Sequence, residues 1–212
     1  MACPMPGFYA RIRSMRAVRV AVAGLTVGAM MAAMALAVGC GPAKRAGPQR
    51  ILADEDRIDW AKEEPTFIVI RKSCRTLDVY RFGERIRSYP AVFGQAGTRE
   101  QKLYEGDMAT PTGLYAIIGD RWHERWEHFF LLDYPNAADA RRYQVAMAYG
   151  EIPARGRSVA AIGGAVGIHG TDKPWLNRQG VDWTWGCISI DNENVRDLAS
   201  LVYVGTPVLI ED

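Results

Sequence analysis

Histidine and cysteine are scarce in this 212-residue chain, with three of the first and four of the second. His123 and His128 stand five positions apart in His-Glu-Arg-Trp-Glu-His. On a helix that spacing puts the two imidazoles on different faces, whereas a zinc-binding H-E-x-x-H needs four. No metal and no organic cofactor is implied. Acidic residues are missing altogether from residues 1–39, where Arg11, Arg13, Arg16 and Arg19 supply four of the 26 basic side chains. The rest of the chain then carries 22 basic against 24 acidic residues, a net −2. The sequence pI of about 8.4 therefore describes the N-terminal segment, which argues against nucleic acid as a partner. No internal repeat and no low-complexity tract occurs beyond that segment.

What stands there instead is an export signal: arginines, then an apolar Ala/Val/Met-rich run from Val20 to Val38. It ends in Leu36-Ala-Val-Gly-Cys40, which resembles the lipobox of bacterial lipoproteins, so Cys40 is the expected lipidation site and the expected mature N-terminus. The other reading is an uncleaved anchor, since the run is about the ~20 residues that span a bilayer. Both readings place the rest of the chain on the periplasmic or cell-envelope side, tethered to a membrane. Residues 40–64 mix Gly, Pro, Ala and charge with little periodicity, as a membrane-proximal linker does, with a short helix conceivable at 54–62. Of the remaining cysteines, Cys74 and Cys187 have the option of a disulfide in an oxidising compartment; the preferred reading keeps Cys187 free and treats Cys74 as an incidental thiol in a polar turn.

From Pro65 the pattern becomes β-rich. Phe67–Ile70 and Thr76–Tyr80 flank the turn Arg71–Arg75, and Arg87–Phe93 reads as a third strand of a meander. Short strands are also expected at 113–118, 129–132, 166–168 and 208–210. Two helices interrupt them, one over 137–148 and one starting at Asp191-Asn192 with Val195, Leu198 and Leu201/Val202 on one face. The fold class is mainly β, sandwich or barrel-like, with a few short helices. Residues 65–212 form one domain.

Cys187 lies in Asp182-Trp-Thr-Trp-Gly-Cys-Ile-Ser-Ile190, eighteen positions after His169 of Ile168-His-Gly170. A thiol with an imidazole partner is the minimum apparatus for nucleophilic acyl transfer, because the imidazole takes the thiol proton and later returns one to the leaving amine. Gly186 lets the chain turn sharply, so that amides around Trp185, Gly186 and Cys187 face a developing oxyanion, and Thr184 braces the turn through its hydroxyl. Trp122 and Trp126 are candidates for a lid or groove wall, with plain core packing as the other reading.

Fourteen residues separate His169 from Thr184-Trp-Gly-Cys187. This spacing resembles the His-Gly … Ser/Thr-x-Gly-Cys signature of the YkuD-type L,D-transpeptidase catalytic domain of bacterial cell-wall enzymes. Gly106-Asp-Met-Ala-Thr-Pro-Thr-Gly-Leu-Tyr115, Asp133-Tyr-Pro-Asn136, the glycine-rich 163–170 and Gly205-Thr-Pro-Val-Leu-Ile210 match further family segments in order. The resemblance implies a peptidoglycan stem peptide as substrate, a cysteine thioester, release of D-Ala and transfer to an amine. It also implies that the Gly170 carbonyl orients His169. The same resemblance admits a cysteine-dependent peptidoglycan hydrolase (L,D-carboxypeptidase or amidase), and the fold alone would suit an inactive wall-binding lipoprotein. Many members carry His before the Gly-Cys and Arg two positions after the Cys, where this chain has Trp185 and Ser189. Ser189 and Tyr134 are therefore expected at the substrate, and Lys173, Arg178 or Arg125 are candidates for the missing positive charge. Residues 151–161 look like an insertion exposing Arg155 and Arg157.

Overall fold

A computed structural model describes residues 66–98 and 101–212. The export signal, Cys40, the linker and the short helix at 54–62 lie outside the described residues. Within them the fold is mainly β: ten strands and three short helices, with eight of the strands forming one curled, half-barrel sheet.

Strands β1 (Phe67–Arg71), β2 (Thr76–Arg81) and β3 (Glu84–Pro90) form the expected meander. Its second turn is the two-residue Phe82-Gly83, both at positive φ (52° and 81°), the twist that suits a right-handed hairpin. The sheet continues through β10 (Pro207–Glu211), parallel to β1, and then β4 (Gly113–His123) and β5 (Glu127–Leu132). The far edge is β8 (Gly167–His169) and β9 (Ile188–Ser189), parallel to each other. β4 joins the two halves. Residues 113–116 pair with β10, and after a register shift between Ile117 and Gly119 the strand pairs with β5 out to His123. A shift of this kind bends a strand and strengthens its twist, which curls the sheet.

One face of the sheet is apolar at every second residue: Ile68 and Ile70, Leu77 and Val79, Tyr115 and Ile117, Phe130 and Leu132, Val208 and Ile210. Helix α3 (Asn192–Ala199) closes this core with Val195 and Leu198, both fully buried. Asp191 is its N-cap residue by position but makes no side-chain capping bond; the Asn192 amide oxygen instead accepts from Thr171 N at 2.6 Å. Helix α1 (Ala137–Ala148) is held by a capping box between Asn136 and Asp139. The insertion is a small hairpin, β6 (Ala154–Arg155) and β7 (Ser158–Val159), with Arg155 and Arg157 exposed. Its flanking Ile152 and Ala160 pack with Ala146 of α1.

The third strand ends at Pro90, short of the expected Phe93. Beyond it the chain leaves β2 and crosses to the far edge: Val92 and Ser189 exchange both backbone hydrogen bonds (3.0 and 2.9 Å), and Gly94 bridges Thr184. The end of the segment expected as the third strand is thus the clamp on the Cys187 turn.

Candidate active site

The turn that carries Cys187 is fixed before any side chain reaches it. Thr184 N donates to Phe93 O (3.1 Å) and Gln95 N donates to Thr184 O (3.1 Å). Asp182 accepts Phe93 N at 2.8 Å and both guanidinium nitrogens of Arg75 at 2.8 and 2.9 Å. Inside the turn the buried Thr184 hydroxyl donates to Cys187 O (2.7 Å) and accepts Gly186 N (3.2 Å). Gly186 sits at φ +128°, and a Cβ there would lie 2.7 Å from Ala109 O, so both the backbone conformation and the close approach demand glycine. The Gly186 amide is already committed to Thr184, which removes it from the expected set of oxyanion donors. The Trp185 side chain points away from the core and is 78% exposed.

Cys187 is a free, half-buried thiol, so it does not pair with Cys74. Its S–H donates to Ala165 O at 3.7 Å, not to the imidazole. Catalytic hydrogen bonds are often long or misaligned until substrate is bound. Burial pushes the thiol above its ordinary range, opposed by a hydrogen bond from the Gly167 backbone and by the charge of Lys102.

His169 ends β8, in register with Ser189 on β9 and therefore beside the cysteine turn. Its Nδ1 lies 2.6 Å from Gly170 O. A carbonyl only accepts, so Nδ1 carries the proton and Nε2 keeps its lone pair. Burial drives the imidazole pKa down to about 4, with His123 adding to the effect while the Gly170 contact and Asp172 oppose it. His169 is a neutral base throughout the physiological range.

Gly170 O is itself held. Ser189 Oγ donates to it at 3.1 Å, Asn177 Nδ2 donates to Ser189 Oγ at 3.1 Å, and Trp183 Nε1 donates to Asn177 Oδ1 at 2.8 Å. Ser189 is fully buried and Asn177 is 8% exposed. Ser189 is therefore corrected from a substrate contact to a member of a buried relay behind the histidine. Glycine is required at 170 because a Cβ would lie 2.4 Å from both Trp126 O and Asn192 Oδ1, and Gly170 N donates to that same Trp126 carbonyl at 3.0 Å.

The β4–β5 hairpin folds over the imidazole. Trp126 stacks on His169 with centroids 4.6 Å apart, and His123 stacks on the outer face of Trp126 at 4.2 Å. Phe129 and Trp183 contact His169 at 5.9 Å each. Arg125 at the hairpin tip pairs with Asp172 (Nε to Oδ2, 2.9 Å), tying the cover to the loop after β8. His123 and His128 thus belong to a hairpin, not a helix; Trp126 is the cover and Trp122 is 65% exposed.

The remaining expected residues divide. Lys173 Nζ lies over the Trp183 ring at 4.6 Å, adjoining the histidine's surroundings. Arg178 is exposed on α2 (Pro174–Arg178), where its Nε donates to Pro174 O of the same helix at 3.2 Å. Tyr134 is a correction: it is 6% exposed in the main core, with its hydroxyl on Ile162 O at 3.2 Å. Lys102 was missed. It is 5% exposed, and its Nζ lies 3.6 Å from where a Cβ on Gly186 would stand. No motif marks it, and it lies 85 positions before the cysteine it adjoins. Among the described residues no group of three or more His, Cys, Asp or Glu gathers as a metal site.

Comparison with known proteins closes on one family. The sequence profile of the YkuD L,D-transpeptidase catalytic domain matches residues 65–210. Among curated proteins none matches the sequence. Of solved structures, the helical cell shape determining protein Pgp2 of Campylobacter jejuni is 21% identical with a TM-score of 0.50, covering 71% of this chain and 49% of that one, a likeness of fold. Bd1075 of Bdellovibrio bacteriovorus is 23% identical (TM-score 0.48; 69% of this chain, 48% of that one). An L,D-transpeptidase from Mycobacterium smegmatis is 16% identical (TM-score 0.46; 70% and 59%). The match thus spans about half the length of these proteins. With the profile running over the whole described domain, the chain belongs to the YkuD family of L,D-transpeptidase catalytic domains.

Proposed function

We propose that the protein is an L,D-transpeptidase acting on peptidoglycan stem peptides through a thioester on Cys187. The observation that carries this reading is a free, half-buried thiol on the turn that leads into β9, whose register with β8 pairs Ser189 with His169, a neutral imidazole whose tautomer is locked by Gly170 O so that the Nε2 lone pair is left as the base. Nε2 takes the thiol proton, and Sγ attacks the carbonyl on the L-centre of the stem's third residue. The amides of Trp185 and Cys187 are the candidate oxyanion donors, since Gly186 N is occupied; one such donor is typically worth ~10²–10³ in rate. Collapse breaks the C–N bond, and the imidazolium returns its proton to the departing D-Ala amine. An acceptor amine then attacks the thioester, the C–S bond breaks, and the thiol is regenerated. Lys173, over the Trp183 ring, is the candidate cation for the stem's carboxylates.

The N-terminal segment completes the proposal: residues 1–39 act as a lipoprotein signal, Cys40 carries the lipid, and residues 40–64 hold the catalytic domain off the membrane on the periplasmic side. Mass measurement of the mature N-terminus in wild type and Cys40→Ala tests the lipid. The chemistry is tested by incubating purified wall with the mature protein and weighing the muropeptides. New cross-linked dimers, absent with Cys187→Ala, support transfer. Shortened stems alone assign hydrolysis, and no change despite full folding assigns a non-catalytic wall-binding role. Acylation of Cys187 by a carbapenem checks nucleophilicity independently.

A further inference from the structure

Apart from the Gly167 backbone and Lys102, no group described so far favours ionisation of Cys187. Its burial disfavours the thiolate, and the neutral His169 offers no standing positive charge. The cations expected from the sequence are engaged elsewhere: Lys173 on Trp183, Arg178 on its own helix and Arg125 with Asp172.

Lys102 approaches the turn at Gly186. Its ammonium lies against Gly186, 3.6 Å from the position of an added Cβ, in the residue immediately before the nucleophile. Two acceptors hold it there, Tyr104 O at 3.2 Å and Asp107 Oδ1 at 2.7 Å, and the Tyr134 ring lies 5.9 Å beneath. An ammonium has three protons, so one is left with no acceptor among the described residues. Asp107 in turn accepts the amides of Leu103 (2.6 Å), Tyr104 (3.0 Å) and Ala109 (3.0 Å). Asp107 is thus held by the loop backbone as well as by the lysine. The Gly106-Asp107 segment thus anchors a cation in addition to shaping the loop.

We propose that the Lys102 ammonium is the counter-charge that stabilises the Cys187 thiolate once its proton leaves. This rests on the reading of Cys187 as the nucleophile. Ionisation moves one proton from Sγ to Nε2 of His169 or to water; Lys102 forms no covalent bond and keeps its protons. It is a positioning residue acting through its field, its ammonium lying against Gly186.

The test is the rate of iodoacetamide alkylation of Cys187 against pH in the folded protein, with Cys187→Ala as blank. Lys102→Met is expected to move the thiol midpoint up by about one unit, an about tenfold slower reaction at neutral pH, and Lys102→Arg to restore most of it. Asp107→Asn, which removes the competing negative charge, is expected to move the midpoint down. Loop disruption alone would not shift these two variants in opposite directions. A Lys102→Met midpoint equal to wild type, or Met and Asn variants shifting together, overturns the proposal. If Asp107→Asn does not fold, the contrast between Met and Arg at 102 decides. Wall modification that survives in Cys187→Ala would sink the nucleophile reading instead, a separate result from the alkylation midpoint.

Discussion

Ser189 Oγ donates to Gly170 O at 3.1 Å, the same carbonyl oxygen that His169 Nδ1 engages at 2.6 Å. Two donors converge on one acceptor, so the carbonyl is pinned by the serine hydroxyl as well as by the imidazole, and the pin is anchored by Asn177. Ser189→Ala removes it and leaves the buried Asn177 amide short of an acceptor. A buried group left unsatisfied costs about 1–3 kcal/mol, so urea unfolding is expected to show a loss in that range. If the relay orients the base, acylation by a carbapenem slows in its chemical step while binding of the reagent is little changed. Ser189→Thr, which keeps the hydroxyl, recovers part of the rate. A variant that loses stability but acylates at the wild-type rate would assign the relay to folding alone.

His169 also sets a pH dependence of stability. Its folded pKa of about 4 lies below the 6.5 of an exposed imidazole. The unfolded chain therefore binds the proton first, and the native state loses stability as pH falls from 6.5 toward 4. Over two units the loss is on the order of 3 kcal/mol. His169→Gln cannot titrate, so its stability should decline less between pH 7 and pH 4.5 than that of wild type. Parallel denaturation curves for the two proteins at both pH values would contradict the assignment.

Gly186→Ala tests the geometry of the turn. The substitution puts a methyl group 2.7 Å from Ala109 O and forces a non-glycine residue to φ +128°. Strain of this kind costs roughly 1–3 kcal/mol. The expected outcome is a folded, destabilised protein whose acylation falls by about a hundredfold, the scale of one misplaced oxyanion donor. Near-wild-type acylation would remove the Trp185–Cys187 amides from the proposed chemistry.

The parts legible in the sequence are those whose signal is local. β1, β2, β5 and β10 are short β-rich runs, and α1 spans the 137–148 expected for the first helix. The order of His169, Gly170, Thr184, Gly186 and Cys187 was visible because glycine and thiol chemistry impose residue identity. The missed features are non-local. β9 has two residues and α2 five, too few to show a period. Ser189 looked like a substrate contact until β8–β9 register turned it inward, opposite His169. Lys102 reaches the turn through the loop that Asp107 holds by the amides of Leu103, Tyr104 and Ala109, and a long-range approach of that kind leaves no mark on residue spacing.

The aromatic cover supplies the last prediction. Trp126 lies flat on His169 at 4.6 Å and contributes to the burial that keeps the imidazole neutral. Trp126→Ala opens that face to water and lifts the desolvation penalty, so the imidazole pKa rises from about 4 toward 6.5. A protonated imidazole cannot accept the thiol proton, and the acid limb of the pH–rate profile should move upward with it. Activity at pH 6 relative to pH 8 then falls in the variant but not in wild type, whereas loss of substrate contacts alone would lower both equally. Carbapenem acylation rates between pH 4 and 8 provide the profile, with unfolding curves at each pH confirming that the protein remains native. An unmoved acid limb would mean that Phe129, Trp183 and the β8 backbone suffice to keep His169 dry, and that the hairpin serves substrate contact rather than the base.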